Sequence, residues 1–255
     1  MTEGEDAVYV YGVLPGAELR SLSVSGVQGA EVGVVRHADL AALTSPLAGD
    51  AVGARDVRAH WRVLEEAFKH ATVLPLRFGT VLESADAVRD QLLEVHGEAI
   101  REMLAVLENR VQLNVKGRYR EEVLLGEIVR ESREVAALRR HLQTMPDDAR
   151  AYGHRVRLGE LVAAEVARRR DHDTRMAVAA LEPLAVSVIE ERPTDEHAAF
   201  NLAFLVERSA QEKFDQAVGA VKQELGKRLE LSYVGPSLPY SFAEADLGAG
   251  SAAWA

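Results

Sequence analysis

Apolar residues along this chain switch between two periods. Val57, Trp61, Leu64 and Phe68 recur at spacings of 4, 3 and 4, which puts them on one face of a helix over Arg55–His70. Phe214, Val218, Val221 and Leu225 repeat that spacing and predict a second amphipathic helix over Ser209–Leu229. Ser84, with Asp86 and Ala87 behind it, reads as the N-cap of a helix running to Leu107. That helix is expected to bury Val88, Leu92, Val95, Met103 and Val106. Gly97 in its middle costs about 1 kcal/mol against alanine and favours a kink. Longer helical stretches cover Glu121–Leu142 and Ala149–Leu181, parted by Met145-Pro146-Asp147.

The strands carry the other period. Val8–Leu14 alternates tyrosine and valine up to Gly12 and Pro15, and Val32–Arg36 and Leu40–Thr44 form a hairpin about His37-Ala38-Asp39. Val111, Leu113 and Val115 alternate until Gly117, followed by strands at Ala185–Glu190, Phe200–Glu207 and Glu230–Val234, the last stopped by Gly235-Pro236. From residue 111 the order strand, helix, strand, strand, helix, strand is the split βαβ pattern of a ferredoxin-like sheet, its first crossover enlarged into a long helical pair. The reading is α+β with two domains. Residues 1–110 form a modified α+β sandwich, 111–235 the ferredoxin-like domain, and 236–255 a tail that docks and then frays.

Two stretches break local rules. Val73–Thr80 sets Pro75 and Arg77 inside an apolar run before Phe78 and Gly79. Proline gives no N–H to a ladder, and a buried arginine needs a partner. Such violations mark functional or strained sites. Arg77 either ties the strand to a helix carboxylate, Glu65 or Glu66, or meets an acidic group on a partner chain. The second stretch, Gly235–Phe242, holds Pro236, Pro239, Tyr240 and Phe242, the composition of a stiff segment that docks. It packs on its own N-terminal domain, or it is a release element that exposes a binding groove.

Composition narrows the function classes. A formal charge of −10 and a pI near 5.4 do not suit a nucleic-acid binder. With no cysteine there is no disulfide or thiolate chemistry. The acidic Met1–Asp6 has no apolar core of a secretory signal, and no apolar run approaches the roughly 18 residues of a membrane span. A soluble cytoplasmic protein is expected. No phosphate-binding G-x-x-x-x-G-K-[ST] and no G-x-S-x-G elbow occur. The eight histidines are scattered, and the local cluster Asp171-His172-Asp173 reads as a solvated helix face. No catalytic, cofactor or metal residues are assigned. The helices over Glu121–Leu181, with alternating charge at Arg130–Glu134 beside Leu124, Ile128, Val135 and Leu138, are the best partner surface, against a default of a solvated face.

The two rule-breaking stretches, with Tyr9-Val10-Tyr11-Gly12, Leu113–Arg118, Arg157–Leu161 and Asn201–Val206, resemble the gas vesicle protein F/L family. The matching stretches span residues 8 to 242. The resemblance implies two α+β domains and a non-enzymatic role in the gas vesicle, through contact with the major shell protein and other accessory gas vesicle proteins. From composition and motifs, no cofactor, nucleic acid or membrane is expected as partner. The alternative from the residues is a ferredoxin-like sensory protein holding a small molecule in the cleft between its domains.

Overall fold

The computed structural model describes residues 7–17, 22–49, 52–146, 149–193 and 195–246. The chain divides into two compact units, Met1–Gln112 with Pro236–Ala255, and Leu113–Gly235. In the first unit, β1 (Val8–Pro15), β2 (Gly33–His37) and β3 (Leu40–Pro46) precede α1 (Ala54–Phe68). The short strands β4 (Leu74–Pro75) and β5 (Val81–Leu82) follow, then α2 (Ala85–Ala87), a π-helical stretch Val88–Glu94, and α3 (Gly97–Leu107). The sheet runs β2-β3-β1-β4, and β5 pairs with β1 beside β4. Every residue of β1 from Tyr9 to Leu14 is buried, so both faces of the sheet are covered. Tyr9, Tyr11 and Leu14 share a core with Val63, Leu64 and Ala67 of α1, while the π-helical stretch and α3 pack on β1, β2 and β3.

The second unit begins in β6 (Arg110–Tyr119) and continues through α4 (Glu121–Glu131), α5 (Arg133–Thr144) and the 33-residue α6 (Ala149–Leu181). It closes with β7 (Ser187–Glu190), β8 (Ala198–Glu207), α7 (Gln211–Leu225) and β9 (Leu229–Ser237). Its sheet runs β7-β8-β6-β9, so the first strand of the unit is central and the last is an edge. Phe214, Val218, Val221 and Leu225 of α7 are buried together, as their spacing requires. The chain then enters α8 (Tyr240–Asp246), which belongs to the first unit.

Three expectations change. Val95 and Val106 are 69% and 42% exposed, and Leu93, Ile100, Leu104 and Leu107 are buried instead. A π turn inserts an extra residue per turn and moves the apolar face out of phase with a 3.6-residue repeat. The helix expected over Glu121–Leu142 is two helices, because Ser132 is extended (φ −86°, ψ 108°). Gly235-Pro236 does not stop the last strand, which continues to Ser237. An edge strand tolerates proline, since one side of its backbone needs no partner. The end of the tail, expected to fray, lies outside the described residues.

Gly117 shows how tightly β6 and β8 meet. A Cβ there would lie 2.8 Å from Cζ of Phe200, a ring that is fully buried. Gly117→Ala is therefore expected to cost about 1–3 kcal/mol by overpacking. Gly126 on α4 has open space around it, so Gly126→Ala should gain about 0.5–1 kcal/mol. Urea midpoints at unchanged m-value check both, and a neutral Gly117→Ala would contradict the packing described.

Candidate functional site

The first unit concentrates its polar aromatic chemistry along β1. Gly79 donates its backbone N–H to the Tyr9 hydroxyl at 3.0 Å, and that hydroxyl lies 2.9 Å from Nδ1 of His60 on α1. If Tyr9 donates to Nδ1, a neutral His60 carries its proton on Nε2, which faces the backbone of Leu76 outside hydrogen-bond geometry. Tyr11 accepts from the Val27 N–H at 2.7 Å and shares a hydrogen bond with Ser45 at 2.8 Å. Phe78 sets its ring edge-on to His60 at 5.7 Å, and Trp61 meets Tyr240 at 4.9 Å. Burial pushes both tyrosine hydroxyls above their ordinary value and holds the His60 imidazole down to about 4.

The two rule-breaking stretches meet here, since α8 packs against β4. Pro75 is buried opposite Gly12 at the edge of the sheet, where no further strand needs its missing N–H. Between β4 and β5 the chain bulges away from β1. Leu76 donates to the Tyr11 carbonyl and Val10 donates to that of Thr80, both at 2.9 Å. Arg77 stands at the bulge and is exposed, so the condition under which a buried arginine would need a partner does not arise. Of its two proposed carboxylates, Glu66 is engaged by Lys69 at 2.7 Å. The Arg77 carbonyl accepts from the Thr80 N–H and hydroxyl at 3.2 and 2.8 Å. Phe78 is half-buried, and Gly79 turns the chain at φ +94°, a conformation that favours glycine.

Gly235 and Pro236 are exposed on β9, Tyr240 is half-buried, and Pro239 and Phe242 are buried. Gln112 clamps this segment, donating to Ser241 Oγ and accepting the Ser241 N–H, both at 3.0 Å. Leu238 completes the core around Tyr9 and Tyr11.

The second unit holds a polar centre that sequence reasoning missed. Asp173 of α6 is wholly buried and accepts from the Tyr119 hydroxyl at 3.0 Å and Arg228 Nε at 2.9 Å. A second Arg228 bond makes the pair bidentate, and Glu127 stands 3.9 Å from the same guanidinium. The Asp173 hydrogen bond raises the Arg228 pKa further, and burial raises that of Tyr119. The Asp171-His172-Asp173 run is thus only partly a solvated face. Asp173 is in phase with the buried Ala177 and Leu181 at spacings of four, which was the available signal. A groove of about 450 Å³ in the same unit is lined by Lys116, Arg118, Asp195, Asn201, Glu230 and Ser232, and Arg118 pairs with Asp195. Among the described residues no three His, Cys, Asp or Glu side chains gather as a metal site requires.

Two measurements follow from this geometry. The unfolded chain takes a proton on His60 near pH 6.5, whereas the folded protein resists it until about 4. Between these values the unfolded state binds more protons, so stability falls as the pH is lowered through that window. The full difference is roughly 3 kcal/mol. Melting temperature against pH should show this acid limb, and His60→Gln should flatten it. An unchanged slope would contradict a buried neutral imidazole. Phe242→Ala should cost about 3 kcal/mol, read as a drop in the urea midpoint, if the α8 contact is integral to the first unit.

Comparison with known proteins places this architecture. Residues 7–244 match the model of the gas vesicle synthesis protein GvpL/GvpF family. Gas vesicle protein F of Streptomyces sp. (strain CB03234) is 35% identical over 192 residues, covering 74% of this chain and 78% of that protein. Gas vesicle protein F1 of Halobacterium salinarum is 28% identical, with 98% and 97% covered. The crystal structure of gas vesicle protein GvpF from Anabaena sp. PCC7120 is similar at a TM-score of 0.83 and 25% identity, over 94% of this chain and 98% of that one. That of GvpF from Microcystis aeruginosa shares the fold at a TM-score of 0.75, with 93% and 98% covered at 24% identity. With both sheets and most of the α8 return inside the matched region, the chain belongs to the GvpL/GvpF family of gas vesicle synthesis proteins.

Proposed function

We propose that this protein is a non-enzymatic assembly factor that binds the major gas vesicle shell subunit and helps it enter the vesicle wall. Membership of a gas vesicle synthesis family over residues 7–244 carries this reading. The physical logic concerns solubility. A subunit that builds a gas-facing wall exposes large apolar patches before assembly, and such patches aggregate. A chain of net charge −10 bound to that subunit would keep the complex dispersed.

The internal geometry supports an adaptor more than a catalyst. Apart from His60 Nε2, the Tyr9–His60–Gly79 and Asp173–Arg228–Tyr119 groups direct their hydrogen bonds at each other, as architectural networks do. Pro75, Phe78, Gly79, Pro239, Tyr240 and Phe242 are engaged within the first unit. In this reading they are an architectural signature, and the shell subunit meets the outer surface. Other accessory gas vesicle proteins are further partners, and the protein works at the gas vesicle within the cytoplasm. No helix among the described residues is long and apolar enough to cross a membrane.

Mixing the purified protein with the shell subunit during dilution from denaturant should slow the growth of light scattering in proportion to the molar ratio. Affinity-tagged protein should also recover the subunit from a host lacking other vesicle genes. Unchanged scattering at several-fold molar excess, together with no recovery by folded protein, would overturn the proposal.

A further inference from the structure

The groove in the second unit holds polar groups that the fold leaves uncommitted. Its volume of about 450 Å³ is that of a small-molecule site. Three neighbouring strands line it, with β6 between β8 and β9. Asn201 comes from β8, Lys116 and Arg118 from β6, and Glu230 from β9. Arg118 pairs with Asp195, which also accepts the His197 N–H at 2.8 Å, so these two charges offset each other. Lys116 and Glu230 are exposed on the same groove, and neither makes an ion pair with a described residue.

Asn201 is an independent sign of a ligand. It is only 5% exposed. Its Nδ2 donates to Glu191 Oε2 at 2.7 Å, and because a carboxylate only accepts, that contact fixes which way round the amide lies. Oδ1 is left buried with no donor among the described residues. Buried acceptors are nearly always paired, so this one calls for an N–H or O–H from outside the chain.

Strand order arranges these groups as acceptor, cation and anion across the sheet. The backbones of β8 and β9 stand two strand gaps apart, about 10 Å. A simple anion would meet Glu230 and a simple cation would meet Lys116, and like charges brought together exclude both. A zwitterion satisfies the two at once. We propose that the groove binds a free α-amino acid whose long side chain ends in an N–H donor, as that of lysine does. Its carboxylate meets Lys116, its α-ammonium meets Glu230, and its side chain crosses β6 to donate to Asn201 Oδ1. Glu191, bonded to the same amide, favours a positive charge at that end. The site lies within the second unit and does not depend on the shell-subunit reading.

Isothermal titration calorimetry of the full chain with three probes supplies the test. L-lysine should bind saturably with a Kd of about 1 mM or below. Norleucine, which lacks the terminal nitrogen, and cadaverine, which lacks the carboxylate, should each bind at least about ten-fold more weakly, because each leaves a polar group of the site unanswered. Lys116→Gln and Glu230→Gln should each lower the affinity for L-lysine at least about ten-fold, with an unchanged melting curve, since both positions are exposed. Asn201→Leu should remove the preference for L-lysine over norleucine, and if that variant fails to fold, the two exposed variants decide. No heat from L-lysine at about 10 mM would overturn the inference. Equal binding of cadaverine, which would mean charge attraction alone, or unaffected Lys116 and Glu230 variants would do so as well.

Discussion

The first unit depends on β1 being saturated on every side. Its residues from Tyr9 to Leu14 are buried on both faces, β3 occupies one edge, and β4 and β5 occupy the other. A strand in that position must satisfy each backbone group with a neighbour, because none can reach water. The edge chain leaves β1 at residues 77–79, and there the Tyr9 hydroxyl takes the Gly79 N–H that the ladder cannot. The same hydroxyl reaches His60 and so ties α1 to the bulge. One phenol thereby fixes a strand, a helix and an irregular edge, at the cost of a buried imidazole that can carry no charge near neutral pH.

That constraint explains why distant pieces of sequence behave as a single feature. Pro75 sits where no further strand needs its N–H, Arg77 points out where the chain bulges, and Phe78 turns in beneath Tyr9. The α8 segment then returns from the far end of the chain to cover β4, held by Gln112 and Leu238. The second unit solves a related problem with charge. Asp173 is wholly buried, and it is tolerable only because Arg228 binds it bidentately and Tyr119 donates to it. A buried pair of this kind contributes little net stability but is costly to break from one side. It fixes the position of α6 relative to β6 and the start of β9.

The sequence by itself determined the elements whose periods are regular. The 4, 3, 4 spacings of α1 and α7, the Ser84 cap and the alternation in β6 each follow from local geometry, because a helix or strand buries one face at a fixed period. The α+β class was legible for the same reason, and the family through the resemblance of stretches spread from residue 8 to 242. Tertiary structure alone decided the rest. The π-helical stretch shifted the apolar phase and turned Val95 and Val106 outward, which no 3.6-residue pattern registers. Ser132 broke a helix so that α5 could run along α6. Pro236 remained in a strand because that strand is an edge, and Arg77 is exposed because its strand bulges. Asp173 is buried because its partners come from positions 119 and 228. In each case the deciding neighbour lies outside the segment's own local pattern, in the packing or in the strand's place in its sheet, so the local sequence holds the residue and only the fold supplies its environment.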